Sequence, residues 1–533
     1  MSGLGRASAL IGAGTVVSRL TGLLRTIVLV AAIGSIPSEA ADAWSVAYAL
    51  PNSAYAIIST GLLTAVIVPQ IVRAAAHADG GHAYISKLFT LGAVVLLAAT
   101  GVAVVVAPVL VRVYSQGFSA EQQVLATAFA YWLLPQIFFF GLFALLGEIL
   151  NARRVYGPYT WAPIVNNIIS IAGFGVFLLI FGGPFVDVAS WTPQMIAVLA
   201  GSATAGIVVQ CLVLALFWRR AGLRLRPDFR WRGVGLRHVG RLAGWTFLMV
   251  VVGQLAGLVQ SNVLSEATGT GPGNFASANA WLIFMLPYSI IVLSIGTPYF
   301  TRLSEHAGAG RDDAVRADIV SSIRTLGLLT VVATAALAAA AVPASRIFTD
   351  SAEAASAAAE VLLCFLISLV PLAILFVVQR TFYAYNDTRT PFFFTLLQGV
   401  LVVTAALIAA AVTSPTHIAA GVALGQSLAT TVQVIVATGL LHRRLGGIGV
   451  GSWMLSIGRF VLAAVPAAAA GWGVYLLTGG VDGWTTASIL TGALGAALIG
   501  TTTLLVYTAV LAVLRAPELA PAVELVRRFL PGR

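Results

Sequence analysis

Two arginines stand inside one apolar stretch, "TVVSRLTGLLRTIVLV" (15–30), at positions 19 and 25. A guanidinium in hydrocarbon is costly, and such residues usually face a bundle interior or a wet cavity. Snorkelling accounts for long cationic side chains near helix ends. That reading suits Arg25 better than Arg19, which lies about 18 Å into the expected helix. Six residues apart, the two point about 120° away from each other. One cavity serves both only if it is broad or if Gly22, between them, bends the helix. The planar guanidinium fork matches phosphate oxygens. The chemistry expected here is the binding of an anionic, membrane-borne substrate.

Bond-making chemistry has no comparable signal. No apolar stretch offers a base and a nucleophile together, so an enzyme is the least favoured class. Walker, zincin and nucleophile-elbow patterns are absent. "ATGTGPG" (267–273) has no strand before it and reads as an external turn. Cys211 and Cys364 lie in apolar runs and the six histidines in polar connections, which gives neither a disulfide framework nor a metal site. No cofactor is expected, and any driving force comes from a membrane potential or an ion gradient. The remaining polar candidates are softer. Asp42 caps its helix or pairs with Arg25, Glu148 pairs with Arg153 or Arg154, and Glu360 is interfacial. Gln254, Gln260, Asn262, Asn166 and Asn167 read as interhelical glue.

The elements that carry these residues are membrane spans. Of 533 residues, 59% are apolar and 9% charged, against about 25% charged in soluble domains. The mean hydropathy is +0.95. Apolar stretches of about 20 residues centre near 20, 58, 100, 138, 170, 205, 254, 290, 332, 370, 402, 428, 466 and 500, which predicts fourteen transmembrane helices in an all-α polytopic protein. With the N-terminus in the cytoplasm, 26 of the 30 basic residues fall on the cytoplasmic side; the other four are Arg112 and Arg346 outside and Arg19 and Arg25 within the first span. The positive-inside rule selects that orientation and places both termini in the cytoplasm. The net charge of +11 is therefore a topology signal that meets anionic lipid headgroups; nucleic acid is not an expected partner. The first apolar run is long and broken by arginine, unlike a cleaved signal peptide.

The chain repeats itself. "ILNARRVYGPYTWAP" (149–163) and "TFYAYNDTRTPFFFT" (381–395) both turn on a basic loop and restart at a proline. "LPNSAYAIISTG" (50–61) and "LPYSIIVLSIG" (286–296) each follow a proline with a glycine, Pro51 with Gly61 and Pro287 with Gly296, which makes these four residues hinge candidates. Two parallel six-helix, pseudo-symmetric lobes follow. Residues 1–218 form the N-terminal lobe, 219–240 an Arg-rich cytoplasmic linker, 241–441 the C-terminal lobe, 442–514 the two extra C-terminal helices and 515–533 a basic tail. Two-lobed membrane proteins of this kind usually carry a substrate between the lobes.

In order and spacing, "SRLTGLLR" (18–25), "DAWSVAYALPN" (42–52), "LLPQIFFFGLFALLGEILNARRVYGPYTWAPIVNN" (133–167) and "RTFYAYNDTRTP" (380–391) resemble the MurJ (MviN) family over the whole chain. These are lipid II flippases of the multidrug/oligosaccharidyl-lipid/polysaccharide exporter superfamily. The resemblance implies a bacterial inner-membrane protein that carries undecaprenyl-diphosphate-linked peptidoglycan precursor from the inner to the outer leaflet by alternating access. It implies that Arg19 and Arg25 hold the diphosphate in a central cavity, that Asp42 sits near the outer gate, and that the last two helices form a groove for the polyprenyl tail. The chain departs from the family at Tyr55, where another cavity arginine is common, and at Leu282 and Met285, where an arginine and an acid are common. The grip then rests on the first lobe, aided by Asn52, Tyr55 and Asn279. Two other readings stay open: an exporter of another polyprenyl-linked saccharide, and a transport-dead paralogue that scaffolds cell-wall synthesis proteins through the 218–241 loop.

Overall fold

The computed structural model describes residues 3–59, 82–152, 157–218, 227–229 and 240–518. Gly61, most of the 219–240 linker and most of the 515–533 tail lie outside the described residues, as do the Arg153 and Arg154 partners expected for Glu148. Among the described residues every regular element is helical. In chain order they are α1 (Gly3–Ile33), α2 (Glu39–Ile58), α3 (His82–Val105), α4 (Ala107–Tyr114), α5 (Ala120–Leu133), α6 (Gln136–Ala152), α7 (Gly157–Phe181), α8 (Pro193–Leu216), α9 (Gly240–Ser265), α10 (Asn274–Pro287), α11 (Ser294–Gly308), α12 (Asp312–Ala339), α13 (Ala341–Arg346), α14 (Ala352–Leu366), α15 (Leu369–Ala384), α16 (Arg389–Val412), α17 (Ile418–Leu445), α18 (Val450–Leu477), α19 (Trp484–Ala487) and α20 (Ile489–Val513). Twelve stretches among the described residues are long and apolar enough to cross a membrane. The other two expected spans correspond to α1 and α2, and for those two the count of fourteen rests on the sequence. This is a multi-pass membrane protein.

Helix ends follow local chemistry. Ser38, Ser119 and Thr192 accept hydrogen bonds from Ala41, Gln122 and Met195 N–H at the starts of α2, α5 and α8, satisfying donors that a helix leaves orphaned. Gly34, at φ +77°, closes α1 in the left-handed conformation that glycine adopts without penalty. Lipid offers helices no hydrophobic drive to associate, so close packing through small residues does the work. A β-carbon on Gly173 would lie 2.1 Å from Ser202 Cβ at the α7–α8 contact, one on Gly425 2.5 Å from Ala405 Cβ at α16–α17, and one on Gly471 2.2 Å from Thr503 Oγ1 at α18–α20.

Packing divides the chain into two units, 1–275 and 276–533. The first unit's core gathers Leu29, Ile33, Trp44, Phe129, Phe174 and Leu199, with Trp44 edge-on to Phe129 at 5.3 Å and to Phe174 at 6.1 Å. By contact α9 belongs with this unit, whereas the sequence repeat assigns its seventh span to the C-terminal lobe. The reason is a set of polar bonds at its 261–265 end, described below. In the second unit α12 packs on α15 and α18, and α18 on α20. The turn between α15 and α16 is pinned by Asp387. Burial opposes ionisation of this carboxylate, but Thr390 N–H (3.0 Å), Thr390 Oγ1 (2.8 Å) and Arg444 (2.5 Å) together hold its pKa below the ordinary value.

Candidate functional site

Arg19 stands sixteen residues past Gly3 in a helix that ends at Ile33, which is about 24 Å along its axis. It is deeper than the sequence alone suggested, because the helix begins at Gly3. Its side chain is exposed, and among the described residues no hydrogen bond or ion pair engages it. The backbone around it is held from α7: Asn167 Nδ2 donates to Ser18 O (3.1 Å) and to Thr21 Oγ1 (2.9 Å). Asn167 thus acts as interhelical glue, one residue before and two after Arg19. Gly22 lies on the same side, where an added β-carbon would sit 3.6 Å from Asn167 Nδ2.

Arg25 is half-buried and turns toward α2. Its Nη2 donates to Tyr48 Oη at 3.2 Å, and the Tyr48 ring stacks on Trp44 at 6.1 Å. The guanidinium is therefore tied to the core by one neutral partner and keeps its other N–H groups. Asn52, one turn beyond Tyr48, is exposed and donates to Tyr48 O (2.9 Å). Its carbonyl oxygen and second amide N–H are left to face a ligand. Tyr55 is half-buried, its ring 5.6 Å from Phe140 and packed against the cluster around Leu145 and Leu146. Pro51 is buried inside α2, and Ser59, the last described residue there, already has π-helical geometry.

Asp42 fits neither role expected for it. Ser38 caps α2, and Arg25 bonds Tyr48. The buried Asp42 carboxylate instead receives Phe275 N–H (2.8 Å), with Asn274 N–H and the Thr268 hydroxyl as further donors. It thereby caps the N-terminus of α10 from 233 residues away. Gly273 is required at this point, since a β-carbon there would lie 2.4 Å from Asp42 Oδ2. A matching set of bonds closes the other helix end. Asn262 and Ser261 on α9 donate to Val113 O (2.5 Å) and Tyr114 O (2.9 Å), the last carbonyls of α4. Asn262 Oδ1 and Ser265 Oγ accept from Gln116 and Gly117 N–H, each at 2.9 Å. Gln122 Nε2 bridges Glu39 O (2.9 Å) and Thr268 Oγ1 (2.8 Å). Helix termini that would otherwise be orphaned are satisfied across elements, so these elements are fastened to one another at this end of the first unit.

In the second unit, Asn279 is half-buried on α10. Beyond Pro287 the chain winds as a π-helix over 288–293 before α11 resumes. Gly296 follows, where an added β-carbon would lie 2.4 Å from Phe376 Cε1. Two charged arrangements escaped the sequence reading. Buried Asp318 pairs with Arg302, and His306 Nδ1 lies 2.8 Å from its other oxygen. Arg346, buried at 8% exposure, donates Nε to Thr486 O (2.8 Å), Nη2 to Ala487 O (3.4 Å) and Nη1 to Thr349 O. Asp318 gave no signal, because it lies between Arg316 and Arg324 in what reads as a cytoplasmic segment. Arg346 was visible as a cation on the wrong side of the membrane.

Comparison with known proteins adds a family to this geometry. The chain is 24% identical over 526 residues to a probable lipid II flippase MurJ of Synechocystis sp., covering 97% of this chain and 95% of that one. It is 26% identical over 478 residues to a probable lipid II flippase MurJ of Rhizobium tropici, covering 87% and 86%. A solved structure described as lipid II flippase MurJ in an inward closed conformation superposes with a TM-score of 0.70 at 19% identity, covering 92% of this chain and 98% of that one, and so shares its fold. The model of the family described as "Lipid II flippase MurJ" matches residues 30–494, and the chain belongs to that family.

Proposed function

We propose that this chain is a flippase that carries lipid II, a polyprenyl-diphosphate-linked peptidoglycan precursor, across the bacterial inner membrane by alternating access, and that it is not an enzyme. The observation that carries the reading, beside family membership, is the pair Arg19 and Arg25: two guanidiniums in one apolar helix, neither matched by a carboxylate among the described residues. Free donors of this kind suit a diphosphate. Asn52 supplies a neutral polar group that aids the diphosphate grip, and the π-helical turn between Pro287 and Gly296 is the hinge of the second lobe. The bonded end of the first unit, where Asp42 caps α10, serves as the outer gate. Both termini lie in the cytoplasm. The exposed Leu462, Val465, Leu494, Leu498 and Leu505 on α18 and α20 offer an apolar surface for the polyprenyl tail. A membrane potential that is negative inside assists outward movement of the anionic headgroup, by about 2.3 kcal/mol per charge per 100 mV.

Depleting the protein in its own cells and measuring lipid II in each leaflet tests the reading. Accumulation in the inner leaflet with loss from the outer is expected; an unchanged distribution would remove the flippase assignment. A second reading, export of another polyprenyl-linked saccharide, is favoured by Tyr55, whose ring is packed against Phe140 where the family commonly has a cationic side chain. It predicts that the accumulating lipid carries a different saccharide.

A further inference from the structure

A groove of about 680 Å³ opens in the second unit between α15, α17 and α18. It is separate from the arginines of α1 and from the α18–α20 contact. Its walls grade in polarity along α17. At the helix end His442 and Arg443 line the rim. Both are exposed, and neither side chain has a hydrogen-bond or ion-pair partner among the described residues. One turn deeper come Thr438, only 9% exposed with its hydroxyl unpartnered, and Gly439. Deeper again along α17 come Val434 and Ile435 and then Thr431, whose hydroxyl is spent on Ser427 O (2.9 Å), while Ile374 of α15 and Trp453 and Met454 of α18 complete the lining.

Successive turns are about 5.4 Å apart, so the order along the wall is cation, hydroxyl, hydrocarbon. That is the order of phosphate, ester carbonyl and acyl chain in a glycerophospholipid. A positive rim could merely complement the carbonyl end of α17. Dipole complementarity, however, requires neither an apolar groove beneath the charges nor a buried hydroxyl left without a partner. The volume falls in the range that takes a drug-sized ligand, about 300–1,000 Å³; it suits acyl chains rather than a whole polyprenyl tail. The helix end concerned carries Arg443 and Arg444 and is the one that positive-inside reading puts in the cytoplasm, where anionic lipids and basic interhelical pockets meet.

We propose that this groove is a binding site for an anionic glycerophospholipid of the inner leaflet, with its phosphate on Arg443 and His442, an ester carbonyl on Thr438 and an acyl chain between α15, α17 and α18. The proposal is independent of the transported substrate. The full-length protein, purified in detergent, would be exchanged into phosphatidylglycerol or phosphatidylcholine of identical acyl chains and the retained lipid counted by native mass spectrometry. Phosphatidylglycerol should be retained in preference. Arg443→Gln should lower its retention about fivefold, the worth of one surface arginine, and leave phosphatidylcholine unchanged. Gly439→Leu should expel both lipids with the melting temperature unaltered, since a β-carbon there meets nothing within 4 Å. Equal retention of the two lipids, or indifference of phosphatidylglycerol to Arg443→Gln, would overturn the proposal. So would one-for-one displacement by a polyprenyl diphosphate whose own binding is lost in Gly439→Leu, because the groove would then belong to the transported lipid.

Discussion

Arg19 in the middle of α1 and Arg346 at the end of α13 are the same side chain put to opposite uses. Arg346 is buried, and Nε, Nη1 and Nη2 each donate to a backbone carbonyl, joining α13 to the 484–487 segment. Arg19 is exposed, and no described residue takes any of its donors. A buried guanidinium with each of its three nitrogens bonded within the protein has little left for a ligand. One held in place through its backbone, as Asn167 holds the 18–21 turn, keeps its whole fork available. Satisfaction of donors separates the structural arginine from the binding one.

Breaking the structural side of the contrast should give the largest effect on stability. Arg346→Ala leaves buried carbonyls without partners, a loss of about 3 kcal/mol, read as a lower melting temperature in detergent and reduced accumulation. Arg19→Ala should leave both measures near wild type. If both variants melted alike, the distinction drawn from their hydrogen bonds would be lost.

The outer end supplies the next test. Asp42→Ala removes the side chain that caps α10 and leaves buried donors without a partner, at a cost of about 1–3 kcal/mol. The first unit should then open at this end more often. A cysteine placed at Thr268 should react with an impermeant thiol reagent several-fold faster in that background than in the wild type. An unchanged rate would mean that the cap does not hold this end closed.

Much of this was legible in the sequence, for reasons that can be stated residue by residue. The spans were readable because hydropathy reports the solvent directly. Arg19 and Arg25 stood out because cations are rare in apolar runs. The partner of Asp42 was not readable: a cap normally lies within a turn of its helix, and this one is 233 positions away. Nor could the sequence tell that Arg346 is internally satisfied, since backbone carbonyls carry no residue signature. The fourth apolar stretch read as one helix, but the structure divides it at Leu134–Pro135 into α5 and α6, because proline removes a donor and crowds the preceding turn.

The smallest effect belongs to Arg25. Tyr48→Phe deletes its one described hydrogen bond and should lower stability by about 1 kcal/mol, with export reduced only a few-fold. Export falling as far as in Arg25→Ala would mean that the tyrosine hydroxyl, and not the guanidinium, touches the substrate.

The central claim, that Arg19 keeps its donors for an anionic lipid headgroup, is tested most directly by measuring precursor export in cells that express Arg19→Ala at wild-type abundance. Export should be abolished, with partial recovery in Arg19→Lys, whose ammonium lacks the bidentate fork. Normal export in Arg19→Ala would contradict the account, for the most exposed intramembrane cation of the first unit would then have no part in carrying the substrate.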